Sequence, residues 1–255
     1  MAEALVHYHW NWGIFLEHIK SGDETYLQWI LVGLWWTVAV SLSAWVIALA
    51  FGFVVGTFRT WPNKFVARLC NAYTEFFRNI PVLVQLLIWY FVIPELFPKS
   101  IAMWIKQDMP AKEFITATVC LGLYTSSRVA EQVRAGIESL PPGQKSAGLA
   151  MGFTLPQTYR FVLLPMAFRI IIPPLTTEFM NIFKNSSVAF AIGVFELTFQ
   201  ARQMQEDSEQ GIETYLVVTA LYLITCFIVN RFMRLLEKRL HVPGYQKLGA
   251  EEAAT

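Results

Sequence analysis

Leu27 to Phe58 reads LQWILVGLWWTVAVSLSAWVIALAFGFVVGTF, and no charged side chain interrupts it. A membrane helix needs about 20 mostly apolar residues, because lipid offers no partner to a bare backbone N–H or C=O. This run exceeds that length and reads as a transmembrane span, with Gly52 and Gly56 forming a G-x-x-x-G face for close helix packing. The composition agrees: 55% of the 255 residues are hydrophobic and 15% charged, where a soluble domain carries about 25% charged residues. Aromatic residues, including 9 Trp, make up 15% and suit a chain with two membrane interfaces to anchor. The net charge of +1 lacks the single-signed stripe that a nucleic-acid partner demands.

Working outward, four further apolar segments follow. Span two runs from about Leu69 to Phe97 and carries Glu75 and Arg78 near its start. Span three runs from about Phe114 to Gly136 and becomes charged from Arg128 onward. Span four, Ile170 to about Phe195, is expected to be broken, since it contains Pro173, Pro174, Glu178 and Lys184. Span five, Thr214 to about Arg231, is uncharged through Asn230. Lysine and arginine placement orients them. Arg59, Lys64, Arg68, Arg134, Lys145, Arg160, Arg169, Arg231, Arg234, Lys238, Arg239 and Lys247 fall on one side, against Lys20, Lys99, Lys106, Lys112 and Arg202 on the other. The expectation is an all-α integral membrane protein of five transmembrane helices, N-terminus outside and C-terminus in the cytosol. Residues 1–26 form an extracytoplasmic, interfacial segment, 27–240 the transmembrane domain and 241–255 a cytoplasmic tail. Met1 to Asp23 lacks the pattern of a removable signal peptide and is rich in aromatics, which suits the membrane surface.

The cytoplasmic loop 137–169 is long and patterned. Pro141, Pro142 and Gly143 make a turn into a helix expected from about Gln144 to Met151, and Gly152 supplies its stop. Thr154 is a candidate N-cap for a second short helix with Pro156 in its first turn, and Pro165 is expected to close it. Ser146, Ala147, Gly148 and Ala150 give the first helix a small-residue face that enters a groove on another protein without clash. Two short helices about a glycine turn read as a docking element.

Ser146-Ala147-Gly148, three residues, Gly152, nine residues, then Val162-Leu163-Leu164-Pro165 resembles the signature loop of binding-protein-dependent ABC permeases, E-A-A, three residues, G, nine residues, I-x-L-P. Spacing matches throughout, while Ser146, Gly148 and Val162 depart from the usual Glu, Ala and Ile. The runs Arg78–Gln85, Ala130–Ile137, Gly143-Gln144, Lys184–Ser187 and Ile192–Val194 resemble the polar amino-acid branch of that family, over about Leu27 to Leu240. The resemblance implies a MetI-like permease fold paired with a second permease subunit, like or identical. It also implies two copies of a separate ATPase that binds ATP and Mg, and an extracytoplasmic substrate-binding protein. Gln144, Ser146, Ala147, Gly148, Gly152, Leu164 and Pro165 would couple to the ATPase. The chain carries no G-x-x-x-x-G-K-[ST] phosphate loop, so hydrolysis is expected elsewhere and no cofactor in this chain.

Polar groups at membrane depth are costly and therefore functional or paired. Arg78 and Lys184 lie in motifs shared by the branch, which favours structural roles, with Glu75 as a partner for Arg78 and Glu178 as a further structural charge. Arg128 stands apart, amid Tyr124-Thr125-Ser126-Ser127 on an otherwise apolar helix. A guanidinium offers two parallel donors to a carboxylate and keeps its charge, which suits an acidic amino acid. The alternative is an internal pair with Glu131 at i,i+3, or with Glu178. Resemblance of the Thr-Ser-Ser-Arg-Val-Ala-Glu-Gln run to the glutamate/aspartate permeases favours the first reading. The substrate-binding candidates are Arg128, Ser127, Glu131, Asn185, Ser186 and Ser187. The polar loop Glu196 to Glu213, with Arg202, Glu206, Asp207 and Glu209, is the candidate dock for the binding protein or a solvated loop.

Other classes fit less well. Cys70, Cys120 and Cys226 are far apart and without paired spacing, and His7 with His9 lacks further ligands, so no disulfide framework, metal site or catalytic centre is expected. A transporter driven by an ion gradient would explain intramembrane charges, but five spans without an internal repeat suit it poorly. A permease for basic or neutral polar amino acids is the alternative within the importer class.

Overall fold

A computed structural model describes residues 8–20 and 22–240; His7, Lys247 and the tail 241–255 lie outside the described residues. The described chain is helical, with one isolated antiparallel bridge between His18 and Thr25. Its α-helices are α1 (Tyr26–Arg59), α2 (Lys64–Asn79), α3 (Val82–Leu87), α4 (Lys99–Met103), α5 (Lys112–Glu138), α6 (Pro142–Ala150), α7 (Leu155–Thr158), α8 (Leu164–Asn185), α9 (Leu197–Ser208) and α10 (Gly211–Leu240). Three continuous stretches are long and apolar enough to cross a membrane: Tyr26–Arg59, Leu155–Ile192 and Gly211–Arg239. Lys64–Asn79 taken together with Val82–Leu96 passes the same test as an interrupted pair. Helix α5 falls short of that mark because its second half carries Thr125, Ser126, Ser127, Arg128 and Glu131.

Two boundaries differ from the sequence reading. The second span was expected to be continuous, but α2 ends at Asn79 and α3 restarts at Val82. Pro81, with ψ 136°, has no N–H to continue the ladder and its ring disfavours helix at Ile80. The fourth span was expected to break at Pro173 and Pro174, and Pro165 to close the second loop helix, yet α8 runs through all three. A π-helical turn at Tyr159–Leu163, closed by the Leu164 N–H on the Tyr159 carbonyl, widens the helix just before Pro165 and makes room for its ring. The helix changes form instead at Ser186, where a 3₁₀ segment runs to Ile192 and Gly193 ends it at φ 87°.

The chain forms two compact units, and the boundary between them falls within the long helices. Unit one comprises Met1–Val46, Ile80–Leu123 and Asn181–Cys226. Its core gathers Ile14, Tyr26, Ile30, Leu197, Ala201, Met204 and Val218. Helix α9 lies tight on α1 here: a Cβ at Gly33 would sit 2.9 Å from the Leu197 Cα, and the Leu197 N–H donates to the Thr37 hydroxyl at 3.1 Å. Unit two comprises Ile47–Asn79, Tyr124–Met180 and Phe227–Thr255. Gly52 and Gly56 place α1 directly on α5, as the G-x-x-x-G reading expects. A Cβ at Gly52 would lie 2.5 Å from Val129 and one at Gly56 2.6 Å from both the Ala130 carbonyl and Val133. Gly136 does the same for α5 against Ile171 of α8, at 2.3 Å.

Because the atom facing Gly56 is a backbone carbonyl, a side chain there cannot be absorbed by a rotamer change. Gly56→Val is expected to destabilise the protein by at least about 1–3 kcal/mol, read as a lowered thermal unfolding midpoint in detergent. Gly143→Ala, which meets open space, should leave the midpoint unlowered. Equal midpoints for the two variants would refute the close crossing.

Candidate functional site

In unit two, the middle of α5 buries an unusual run of hydroxyls: Thr125, Ser126 and Ser127 are all inaccessible. The Tyr73 hydroxyl is 2.6 Å from the Ser126 hydroxyl, and Ser127 donates back to the Tyr124 carbonyl at 2.6 Å. Arg128 follows. Its Nη2 donates to the Tyr124 hydroxyl at 2.7 Å and its guanidinium lies 5.0 Å from the centre of the Tyr124 ring. Its Nε is buried without a hydrogen-bond partner, as is the Thr125 hydroxyl. Among the described residues Arg128 forms no ion pair with a carboxylate.

The alternative of an Arg128–Glu131 pair is not realised, because Glu131 is occupied. Its carboxylate accepts from Arg59 Nη1 at 2.6 Å, Arg78 Nη1 at 3.2 Å and Arg134 Nη2 at 2.5 Å. Arg134 also pairs with Glu138, and Arg59 Nε donates to Asn71 at 2.6 Å. Arg78 therefore answers Glu131 and not Glu75, which stays exposed. An alternative pair with Glu178 is also absent: Glu178 is buried and its Oε2 has no partner. In unit one, Lys184 is exposed, while Ser186 and Ser187 return their hydroxyls to the carbonyls of Phe183 and Lys184, both at 2.7 Å. Asn185 heads the 3₁₀ segment without a side-chain cap. Ser127, Arg128 and Glu131 thus share one helix, and Asn185, Ser186 and Ser187 belong to the other unit.

The candidate coupling loop is also in unit two. Helix α6 starts earlier than expected, at Pro142, and ends at Ala150. Gly152 adopts φ 86°, a left-handed conformation, so that the N–H of Phe153 reaches the Gly148 carbonyl at 3.2 Å. The Thr154 N–H is capped by Gln157 Oε1 at 2.8 Å, as the N-cap reading anticipates. Gly148 faces Thr158, whose methyl would be 2.8 Å from a Cβ there, which locks α6 onto α7. Ser146, Ala147, Leu149, Ala150 and Met151 remain exposed, with Pro165 exposed and Leu164 half-buried further on. Sequence reasoning missed how the loop is tied down. The Tyr159 hydroxyl donates to the Thr60 carbonyl at 2.7 Å, and its ring packs on Trp61 at 4.8 Å.

Residues 48–242 match the family described as binding-protein-dependent transport system inner membrane component. The chain belongs to that family. It is a multi-pass membrane transport component and not an enzyme. The glutamate/aspartate import permease protein GltJ of Escherichia coli (strain K12) is 46% identical over 92% of this chain and 96% of its own length. The probable glutamine ABC transporter permease protein GlnM of Bacillus subtilis (strain 168) is 35% identical over 78% of this chain and 89% of its own. Among solved structures, an amino acid ABC transporter crystallised with histidines matches with a TM-score of 0.70 at 28% identity, covering 84% of this chain and 95% of that one. The inward-facing MetNI methionine transporter matches with a TM-score of 0.72 at 21% identity and supports the fold.

The permease also fixes its Glu196–Glu213 segment more firmly than a solvated loop would require. Asp207 accepts from the Tyr26 hydroxyl at 2.7 Å and from the Lys20 N–H at 3.3 Å. Glu213 is buried, and takes the Asn11 N–H at 2.8 Å together with the Tyr8 hydroxyl. Arg202 and Glu206 remain exposed and pair with each other at 2.8 Å. Glu196 is fully buried at the N-cap of α9, where it accepts from the N–H groups of Thr198 and Phe199 at 2.9 and 2.8 Å and from the Tyr222 hydroxyl at 2.8 Å. Its place just before a helix start was the available signal.

Burial lifts the Glu196 carboxyl to about 7, outweighing the opposing hydrogen bonds from Thr198, Tyr222 and Phe199. The native state therefore holds this proton over a range in which the unfolded chain has lost it. The contribution to stability is full below the ordinary glutamate range, near 4.5, and is lost as pH rises through about 7. The difference is on the order of 3 kcal/mol. Thermal unfolding in detergent at pH 5 and pH 8 should show a larger loss at high pH for wild type than for Glu196→Gln. Equal pH dependence in the two would contradict it.

Proposed function

We propose that this chain is the permease subunit of a bacterial inner-membrane ABC importer for amino acids, with L-glutamate and L-aspartate as its substrates. Five spans carry the chain from an external N-terminus to a cytosolic C-terminus. A second permease, like or identical, completes the pathway; two ATPase subunits hold ATP and Mg, and an extracytoplasmic binding protein delivers the amino acid onto outer segments that include Glu196 to Glu213. ATP-driven closure of the ATPases is passed through the Gln144–Pro165 loop, whose helices are locked by the Gly148–Thr158 contact and tied to Thr60 by Tyr159. A stiff loop suits this task because it passes on displacement and does not absorb it.

The observation that carries the substrate reading is the uncompensated charge of Arg128. Tyr124 orients the guanidinium without neutralising it, while Glu131 is already shared among three arginines. A carboxylate at 4 Å from such a cation gains about 4 kcal/mol at an effective dielectric of 20, before desolvation costs. Glutamate and aspartate bring one carboxylate more than glutamine or asparagine and can claim that term. The name of the 46% identical Escherichia coli relative, a glutamate/aspartate import permease, supports the same substrate class. The 35% identical Bacillus subtilis relative, named for glutamine, supports neutral polar amino acids as the second reading.

Two outcomes test this. Arg128→Gln in the assembled importer should reduce glutamate and aspartate uptake by about a hundredfold or more, from the lost charge-assisted contacts, with ATPase subunits still co-purifying. Uptake at normal affinity would remove Arg128 from substrate recognition, and stronger competition by glutamine than by glutamate in wild type would favour the second reading. Gly152→Pro deletes an N–H that donates to Leu149 and forbids φ 86°. Assembly with the ATPase, or hydrolysis stimulated by loaded binding protein, should then collapse; unchanged stimulated hydrolysis would show that the loop is not the coupling element.

A further inference from the structure

Unit one contains a cavity of ≈ 390 Å³ in which Tyr90, Phe91, Glu95, Lys106 and Lys112 are the chemically distinctive walls. Both lysines belong to the lining: Lys112 Nζ donates to the Lys106 backbone carbonyl at 3.0 Å and lies 5.5 Å from the centre of the Tyr90 ring. Each lysine also faces a carboxylate. Lys106 pairs with Glu95, and Lys112 approaches Glu113 at 3.7 Å, a group that also takes the Tyr90 hydroxyl at 3.0 Å. The lining thus presents both signs of charge, Glu95 against Lys106 and Lys112, with Glu113 beside Lys112.

The backbone around it is irregular on every side. Tyr90 and Phe91 stand on one π-helical turn, Ile88–Val92, and Ile105 and Lys106 on another, Trp104–Asp108. Such turns are uncommon and tend to occur at functional sites. Lys112 follows Ala111, whose φ of 48° is left-handed without the freedom of glycine and costs about 1–2 kcal/mol. Three local departures from regular helix therefore converge on one small volume.

Apolar side chains line the cavity and flank it in sequence. Phe91, Pro94 and Ile105 belong to the lining, with Phe91 58% exposed, and Leu96, Phe97, Ile101, Met103 and Trp104 of the intervening segment are exposed as well. Exposed apolar side chains on the segment that carries the lysines suit the boundary between hydrocarbon and water, where tryptophan and lysine anchor membrane proteins. A soluble zwitterion has no use for such flanking side chains; an amphiphile does.

We infer that this cavity binds the headgroup of a zwitterionic aminophospholipid, its phosphate on Lys106 and Lys112, its primary ammonium on Glu95, and its acyl chains along Phe91 and Ile105. Charge complementarity decides between headgroups. A phosphoglycerol lipid satisfies the lysines but leaves Glu95 facing a second anion, whereas an ethanolamine headgroup answers both signs. The lining belongs to unit one, whereas the Arg128 run and the candidate coupling loop belong to unit two, and occupancy would brace the Leu96–Asp108 segment in the membrane.

Native mass spectrometry of the complete importer, stripped of lipid and titrated with phosphatidylethanolamine or phosphatidylglycerol, tests this directly. Wild type should retain the ethanolamine lipid in preference to the glycerol lipid. Lys106→Gln with Lys112→Gln should weaken ethanolamine-lipid binding about tenfold, with subunit stoichiometry in the same spectra confirming assembly. Glu95→Gln, at an exposed position, should erase the preference and leave phosphatidylglycerol bound at least as well. Lys99→Gln, outside the cavity, serves as the control and should match wild type. Equal retention of the two lipids by wild type, or an unchanged preference in Glu95→Gln, would overturn the assignment.

Discussion

Unit two depends on two absent side chains. Gly52 and Gly56 let α1 approach α5 until Cβ positions would collide with Val129, Val133 and the Ala130 carbonyl. Lipid supplies no hydrophobic drive between helices, so dispersion at such close range is a main source of cohesion. The same approach sets the electrostatics. Arg59 lies one turn beyond Gly56, and Glu131 follows Ala130, so the packed glycine face delivers a guanidinium to a carboxylate at 2.6 Å. Arg78 and Arg134 then complete a shell around that single anion.

That arrangement separates two arginines that look alike in the sequence. Arg78 draws on a carboxylate within its own unit, and its charge is answered. Among the described residues Arg128 has a tyrosine as its partner, which offers a ring face and one oxygen. A partly buried charge left in that condition is costly to hold, and Tyr124 alone, through its hydroxyl and its ring, positions it among the described residues. Among the described residues the two arginines therefore differ in kind, one inside an ion-pair cluster and one outside any.

Much of this was legible in the residues. Uncharged length is a direct physical requirement of the bilayer, so α1 appears in the sequence almost to the residue, from Leu27 to Phe58 against Tyr26–Arg59. The shape of the 137–169 loop was legible too, because Gly152 needs a conformation that few other residues accept and Thr154 stands at the N-cap of the next helix, its N–H held by Gln157. Partner choice was not. Glu131 lies 72 residues from Arg59 and 53 from Arg78, and local spacing favoured Arg128 only because it is three positions away. The prolines misled in both directions. Pro81 interrupts a run that composition alone reads as continuous, while Pro165, Pro173 and Pro174 are tolerated within one. A proline's effect depends on whether neighbouring turns can widen, which the π turn at Tyr159–Leu163 does and sequence does not announce.

The tie between Tyr159 and Thr60 bears on how an external motor moves this protein. Tyr159 sits in the wide turn that joins the coupling helices to α8, so one residue belongs to the loop, to the base of a long helix and, through Thr60 and Trp61, to the end of α1. Its hydroxyl bonds to a backbone carbonyl, which cannot swing away as a side chain would. Displacement of α6 must then be shared with α1 and α8 together, since Gly148 leaves no slack between α6 and the turn bearing Thr158. A loop held at both ends in this way transmits force in proportion to its stiffness. Ser146, Ala147 and Ala150 give α6 a small exposed face, and the departure from the usual acid at Ser146 leaves that shape unchanged.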